Sequence, residues 1–205
     1  MSLGADFVCV VQLTDSHLFA DAGADLLGLD THASLNAVID MVLEQTPEMD
    51  VVLATGDITQ DGSEDAYRRF IAASQRLPAP CYWIPGNHDD AELMAEVGRP
   101  LGLSRPWVDL GNWRIVLLDT SISGAVPGRL AASQLQIVDD ALASADERHV
   151  MVCLHHQPVD IGSDWMAPIG LLNPQDLLGR IQHRPEVKVV LWGHIHQQFD
   201  QQLGH

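Results

Sequence analysis

Five short polar motifs in this sequence each follow directly on a run of apolar residues. They consist mainly of aspartate, histidine and asparagine, which bind metal ions or transfer protons. Because ligand sites in α/β sheets gather at the carboxyl ends of the strands, motifs far apart in sequence can converge there. Two divalent metal ions and a phosphate ester are the expected occupants. The motifs are Asp15-Ser16-His17, Gly56-Asp57, Gly86-Asn87-His88-Asp89, His155-His156 and Gly193-His194-Ile195-His196.

Each motif also has a purely structural explanation when it is taken alone. The first three have the composition of ordinary turns, in which aspartate caps a turn and glycine allows one. Adjacent side chains in extended backbone point oppositely, so we expect only one of His155 and His156 to reach the site. His194 and His196 are two residues apart, which places both rings on one side of an extended segment. Two ionisable rings placed together favour a shared metal ion.

The coincidence of all five motifs carries the functional interpretation. Imidazole nitrogens combined with carboxylate and amide oxygens suit iron, manganese or zinc better than magnesium or calcium alone. The sequence has neither a GxGxxG motif after the first predicted strand nor a GxxxxGK[ST] motif, and Lys188 is its only lysine. These absences argue against a dinucleotide site and exclude a P-loop.

Apolar runs and helical periodicity predict the elements that position these motifs. Strands alternating with helices indicate an α/β sandwich, with helices on both faces of mainly parallel or mixed sheet. Two stretches, 100–112 and 157–173, are expected to be long loops, and their Trp107 and Trp165 could form aromatic walls for a substrate or simply pack on the surface. Predicted strands cover residues 7–13, 50–54, 81–84, 113–118, 150–154 and 187–192. Predicted helices cover about 31–46, 64–76, 133–145 and 174–183.

Length and composition narrow the class of protein. The 205 residues fit one domain, residues 1–205, with a composition typical of a soluble globular protein. The net charge of −17 argues against a nucleic-acid partner, and no apolar run is long enough to span a membrane. The N-terminus does not resemble a signal peptide, and three sparse cysteines, all expected within strands, favour a reducing compartment. We therefore expect a cytoplasmic location.

The motifs together resemble those of the calcineurin-like metallophosphoesterases, whose order is DxH, GD, GNH[DE], H and GHxH. The resemblance extends over residues 13–198. Within this superfamily, the motifs most resemble those of the class III cyclic nucleotide phosphodiesterases, the bacterial 3′,5′-cyclic AMP phosphodiesterase group. Gln157 departs from that group, which often has proline or histidine there. The narrower resemblance is carried by Leu13-Thr14-Asp15-Ser16-His17-Leu18, Gly56-Asp57-Ile58-Thr59-Gln60-Asp61-Gly62, Pro85-Gly86-Asn87-His88-Asp89 and Gly193-His194-Ile195-His196-Gln197.

The resemblance implies an αββα sandwich of two mixed sheets flanked by helices. Relatives usually continue with further strands, so it also implies a sandwich that is incomplete at the C-terminus, and a homodimer is consistent with it. The implied metal centre holds two divalent transition-metal ions, Fe/Mn or Mn/Mn, with zinc as a third choice. One ion would be held by Asp15, His17, Asp57 and His196, and the other by Asp57, Asn87, His155 and His194. The implied substrate contacts come from His17, Asp57, Asn87, His88 and His196.

We therefore predict a metal-dependent hydrolase that cleaves a 3′,5′-cyclic nucleotide. A bridging hydroxide would attack phosphorus, and His88 would protonate the leaving ribose 3′ oxygen, with Asp89 or Asp61 orienting its ring. Glycerophosphodiesters and 2′,3′-cyclic nucleotides are alternative substrates, because similar metal centres cleave them. A non-catalytic metal-binding interaction module is the alternative from another class.

Overall fold

The computed structural model describes residues 7–203, in which nine strands and five α-helices follow one another in a largely alternating order. The strands are β1 (Val10–Leu13), β2 (Asp25–Leu26), β3 (Leu29–Asp30), β4 (Val51–Thr55), β5 (Cys81–Ile84), β6 (Trp107–Leu110), β7 (Trp113–Leu117), β8 (His149–Cys153) and β9 (Val187–Leu191). The helices are α1 (Thr31–Gln45), α2 (Glu64–Ser74), α3 (Ala91–Gly98), α4 (Ala132–Ala143) and α5 (Pro174–Ile181).

Two sheets form the centre of the fold. The first contains β1, β4 and β5 in that order, and all its pairings are parallel. The second has the order β6–β7–β8–β9, in which β6 is antiparallel to β7 and the other pairings are parallel. Strands β2 and β3 form a separate two-stranded hairpin. The parallel strands of each sheet align their carboxyl ends, which brings the loops after them to one edge.

Three apolar clusters fill the spaces between the layers. Val51 and Leu53 of the first sheet pack against Ile115 and Met151 of the second, so the sheets face each other. A second cluster joins the first sheet to α1, α2 and α3, and a third joins the second sheet to α4 and α5. This confirms the expected sandwich of two sheets between helical layers. The inner strands carry nearly continuous apolar runs because both of their faces are covered.

Local signals explain several helix boundaries. Asp30 caps α1 by accepting a hydrogen bond from the Ala33 N–H, and Ser63 caps α2 in the same way through Ala66. Pro174 is the first residue of α5, where its missing N–H is harmless. Ser133 and Gln136 have the spacing of a capping box and predict a cap at Ser133, but α4 begins at Ala132 without a side-chain cap, so this prediction is wrong.

Two predicted boundaries need correction. The first strand begins at Val10 rather than at residue 7, because its partner β4 begins at Val51 and pairs with Val10. Cys9 therefore lies before the strand, where its N–H bonds the Asp50 carboxylate. The predicted loop 100–112 contains β6, an edge strand that pairs with β7. Among the helices within residues 7–203, none has the length and apolar character needed to cross a membrane.

Candidate metal centre

The loops after β1, β4, β5, β8 and β9 bring the predicted side chains to one edge of the sandwich. Backbone bonds hold these loops against one another. The Asp15 N–H donates to the Gly56 carbonyl at 3.0 Å, and the Gly193 N–H donates to the His155 carbonyl at 3.1 Å. The His194 N–H bonds the Asp15 carboxylate at 3.1 Å, which links loops of the two sheets directly. Residues 179 positions apart in the sequence therefore share one site.

Asp15, His17 and His196 form the first group of donors. Nε2 of His196 lies 3.1 Å from Nε2 of His17 and 3.2 Å from Oδ1 of Asp15. The Asp57 carboxylate is next to this group, with Oδ2 at 3.8 Å from Nε2 of His17. Two nitrogens and two carboxylates facing a common point are a suitable donor set for a divalent transition metal.

Asp57 also faces a second group of donors. Its Oδ2 lies 3.4 Å from Nε2 of His155, and the ring of His155 lies 5.0 Å from that of His194. The side-chain oxygen of Asn87 is buried and has no hydrogen-bond partner, and the same holds for Nε2 of His155. Buried polar atoms normally have partners, so these unpaired atoms fit metal ligation. The position of Asp57 between the two groups is what a bridging ligand requires.

Backbone carbonyls determine which nitrogen of two histidines is available. Nδ1 of His155 donates to the Thr55 carbonyl at 2.8 Å, and Nε2 of His194 donates to the Ile169 carbonyl at 3.0 Å. Since a carbonyl only accepts, the opposite nitrogen of each neutral ring keeps its lone pair for a metal ion. Sequence reasoning missed both carbonyls, and no signal at Ile169 could have revealed its contact.

The neighbouring His156 has both ring nitrogens occupied. Nδ1 lies 2.7 Å from the Thr120 hydroxyl, and Nε2 donates to the Val126 carbonyl at 2.9 Å. Its ligand atoms lie within 4.8 Å of those of His155 and His194, so distance alone would include it. These hydrogen bonds favour His155 as the ligand. They also show that His156 binds the loop after β7 through Thr120 and Val126.

Five candidate ligands have left-handed backbone conformations. Among residues 7–203, seven non-glycine residues have positive φ, and five of them are Asp15, His17, Asp57, His194 and His196, at 55°, 45°, 48°, 69° and 48°. Such angles are uncommon outside glycine, and strained residues cluster at functional sites. The extended segment expected around His194 and His196 is therefore wrong. The two rings reach the centre from separate turns, one beside His155 and the other beside His17.

Two glycines are required by close packing around Asp57. A Cβ on Gly86 would overlap the Asp57 side chain and backbone. Gly56 has φ +97°, and a Cβ there would overlap the ring of His155. Both positions therefore exclude any larger residue, which explains why glycine precedes the ligand in each motif.

Burial and charge act against each other at the centre. Burial would raise the pKa of Asp57, but its contact with His155 outweighs this and lowers the pKa below its usual range. Burial would lower the pKa of His155, yet the Asp57 carboxylate raises it to about 9. Burial, reinforced by His155, lowers the pKa of His194 to about 4. A metal ion and a proton would therefore compete for His155, whereas burial favours the neutral ring of His194.

His88 lies beside the first group, with one ring nitrogen within 4.8 Å of donor atoms of His17 and Asp57, although neither set of four donors includes it. The backbone N–H of His88 donates to Oδ1 of Asp57 at 2.9 Å. The centre of its ring lies 5.0 Å from that of His17. Neither carboxylate expected to orient it bonds its ring in the described structure. Asp89 accepts bonds from the Thr59 N–H and the Tyr67 hydroxyl, and Asp61 accepts from Ala20 and Ser63. Asp89 thus joins the loops after β4 and β5 to α2.

Comparisons with known proteins agree with this architecture. A family model described as calcineurin-like phosphoesterase matches residues 10–198. The chain is 53% identical over 197 residues to a Pseudomonas aeruginosa protein named 3′,5′-cyclic adenosine monophosphate phosphodiesterase CpdA, covering 96% of the chain and 72% of that relative. A protein of the same name from Escherichia coli K12 is 39% identical over 195 residues, with 94% and 71% covered.

The fold also matches a solved structure of a more distant protein. Purple acid phosphatase PPD1 from yellow lupin seeds superposes with a TM-score of 0.61 at 18% identity, covering 91% of this chain and 37% of that one. At this identity the match concerns the fold alone. It agrees with the two facing sheets between helical layers.

Proposed function

Because the chain belongs to the calcineurin-like phosphoesterase family, we propose that it hydrolyses a 3′,5′-cyclic nucleotide at a centre of two divalent metal ions. The observation that carries this proposal is the position of Asp57, whose Oδ2 faces His17 at 3.8 Å and His155 at 3.4 Å. The 53% identical relative is named as a cyclic AMP phosphodiesterase, which supports the substrate class.

Two donor sets would hold the ions. One set is Asp15, His17, Asp57 and His196, and the other is Asp57, Asn87, His155 and His194. When bound, two such ions lower the pKa of a shared water and offset negative charge on the phosphate oxygens. The mixture of imidazole, carboxylate and amide donors supports Fe/Mn or Mn/Mn, with zinc as the next choice.

His88 supplies the proton in this proposal. It is partly exposed, adjacent to His17 and Asp57, and not needed to complete either donor set. Water adds to phosphorus as the bond from phosphorus to the ribose 3′ oxygen breaks. A protonated His88 ring gives its proton to that oxygen, so that the products are a 5′-phosphate monoester and a free 3′-hydroxyl.

Five side chains already assigned to the centre would also position the substrate. His17, Asp57, Asn87, His88 and His196 line the side of the centre where the phosphodiester would lie. Bound cations would make this place locally positive within a chain whose net charge is −17. An anionic substrate can therefore approach a site that the acidic chain alone would repel.

A substrate panel tests the proposed function. After reconstitution with Mn²⁺ or with Fe²⁺ and Mn²⁺, kcat/KM is measured for 3′,5′-cyclic AMP, 2′,3′-cyclic AMP and glycerophosphocholine. We expect the highest value for the 3′,5′-cyclic nucleotide. A higher value for either of the other diesters would replace the proposed substrate class with theirs.

Elemental analysis separates an enzyme from a binding module. Two bound ions per chain together with turnover are expected after reconstitution. Fewer than one transition-metal ion and no turnover on any diester would support the non-catalytic module instead.

We also propose a cellular location and an oligomeric state for the chain. Three free thiols, Cys9, Cys81 and Cys153, support a reducing compartment, and the cytoplasm is the location that we propose. A homodimer stays a prediction from the family resemblance, and light scattering of the metal-loaded protein would test it.

A further inference from the structure

The loop of residues 158–170, which follows His156 and Gln157, is tied to the metal centre. The Leu171 N–H donates to the Gln157 carbonyl at 3.1 Å and closes the base of the loop. Within it, the Ile169 carbonyl accepts from Nε2 of His194 at 3.0 Å. Nε2 of Gln157 donates to the Met166 carbonyl, also at 3.0 Å. These bonds fix the 158–170 loop over the end of β8.

Trp165 is the exposed side chain on this fixed loop. It is 76% exposed, whereas the next residue, Met166, is 4% exposed. Because Met166 packs inward and its carbonyl is held by Gln157, the preceding side chain is left on the outer surface. The other four tryptophans are buried or partly buried. Trp107, the second aromatic wall expected from the sequence, lies in β6 with the Arg114 guanidinium 5.3 Å from its ring.

The loop connects Trp165 to the metal centre through Ile169, whose carbonyl bonds the ring of His194. Trp165 precedes Ile169 by four positions, so their Cα atoms are at most about 14 Å apart. Two other exposed apolar side chains, Leu27 and Val126, also lie on loops that follow strands. Unlike those side chains, Trp165 has a large π face, which is the kind of surface on which a nucleobase stacks.

We propose that Trp165 stacks on the purine base of the cyclic nucleotide and determines the preference for nucleotides over other phosphodiesters. This inference rests on the proposed function. The base is neutral, so the contact is not opposed by the acidic character of the chain. The phosphate is held at the metal centre, and the base is held by the ring of Trp165.

The test compares substrates with and without a base. Trp165→Ala is assayed on 3′,5′-cyclic AMP and on 1,2-dideoxyribose 3′,5′-cyclic phosphate, which has the same ring phosphate but no base. We expect KM for cyclic AMP to rise about 5- to 10-fold, with kcat unchanged. This rise corresponds to the lower end of the effects measured when one base loses its stacking partner. KM for the baseless diester should stay the same, and Trp165→Phe should retain most of the preference.

Leu172→Ala is the matched control, since Leu172 is also exposed, at 50%, beside the same loop but has no π face. Its KM values should equal those of the unaltered protein. Equal increases of KM for both substrates in Trp165→Ala, or an unchanged KM for cyclic AMP, would overturn the stacking contact. The unaltered protein is assayed in parallel. If it does not cleave cyclic AMP, the proposed function fails, whereas cleavage without a Trp165 effect refutes this inference alone.

Discussion

At the scale of single residues, the centre depends on backbone strain that the surrounding contacts maintain. Left-handed φ angles at Asp15, Asp57 and His194 aim their side chains inward. Strain of this kind costs about 1–3 kcal/mol per residue and persists only where neighbouring structure enforces it. Here the enforcing contacts include the bonds from Asp15 to Gly56 and from His194 to Asp15. Backbone contacts within the chain therefore help to set the directions of these ligands.

Replacing His88 by alanine should slow turnover without removing metal. The ring is absent from both donor sets, so two ions per chain should remain after His88→Ala. Loss of a general acid should lower kcat by about 10²- to 10⁴-fold. Turnover and elemental analysis of the same samples check this, with His183→Ala, at an exposed histidine beyond α5, as the control. Loss of metal in step with loss of activity would instead make His88 a ligand.

Replacing Asp57 by asparagine should disturb both ions together. The substitution keeps the shape and the oxygen that accepts from the His88 N–H, but it removes the charge that two groups of donors share. We expect metal content to fall well below one ion per chain under conditions that load the unaltered protein fully. Asp15→Asn, which alters one group, should retain the other ion. Retention of one tightly held ion in Asp57→Asn would show that Asp57 does not bridge.

At the scale of elements, Arg114 joins β6 and β7 to α4. Its buried guanidinium donates to both oxygens of Asp109 at 2.7 and 2.8 Å, to the Ala141 carbonyl at 2.9 Å and to the Ser144 hydroxyl at 2.7 Å. As an edge strand, β6 pairs with β7 alone, and this network adds side-chain contacts to that attachment. This network lies at the start of the second sheet, remote in sequence from every candidate ligand.

Asp109→Asn should therefore lower stability without changing catalysis. Hydrogen bonds from Arg114 keep the pKa of Asp109 below its ordinary value. Because the Asp109 side chain is 36% exposed, solvent screening limits the loss to about 1 kcal/mol near pH 7. A lowered pKa means that this stabilisation is complete above the unfolded pKa of 3.8 and is lost as pH falls through the folded pKa.

Urea unfolding at pH 7 and pH 3 checks this expectation. The difference in the free energy of unfolding between Asp109→Asn and the unaltered protein should shrink at the lower pH. Asp146→Asn is the control, because Asp146 is 81% exposed and its pairing with Arg148 at 3.4 Å is a surface contact. Equal effects of the two substitutions would mean that the Arg114 network contributes no more than a surface pair.

At the scale of the whole molecule, the centre is a link between the two sheets. Asp15, Asp57 and Asn87 follow strands of the first sheet, while His155 and His194 follow strands of the second. An ion bound by residues from both sheets stabilises only the folded chain, because these residues meet only there. Metal binding and the cohesion of the sandwich should therefore be coupled.

Chelation should lower the melting temperature of the loaded protein. At free metal 100 times above Kd, binding contributes about 2.7 kcal/mol, which corresponds to a shift of about 5–10 °C in a chain of this size. Differential scanning calorimetry with and without EDTA measures the shift. Asp57→Asn should melt at the same temperature in both conditions. A chelator effect of the same size in that variant would place the stabilising ion elsewhere.

The apolar runs and the order of the motifs were enough to predict the alternating elements, the layered sandwich and the family. These features depend on local periodicity and on residue type, which are written directly in the sequence. The strand Cys81–Ile84 and the start of α2 at Glu64 were both predicted to the residue, because both signals are local.

Tertiary structure alone decided how the side chains of the centre are aimed. The left-handed turns at His194 and His196, the carbonyls of Thr55 and Ile169, and the strand at Trp107–Leu110 depend on partners far away in the chain. An edge strand forms when a neighbour offers its backbone, and a strained φ persists when surrounding contacts outweigh its cost. Residue types therefore revealed which chemistry was present, whereas long-range packing determined where each donor atom points.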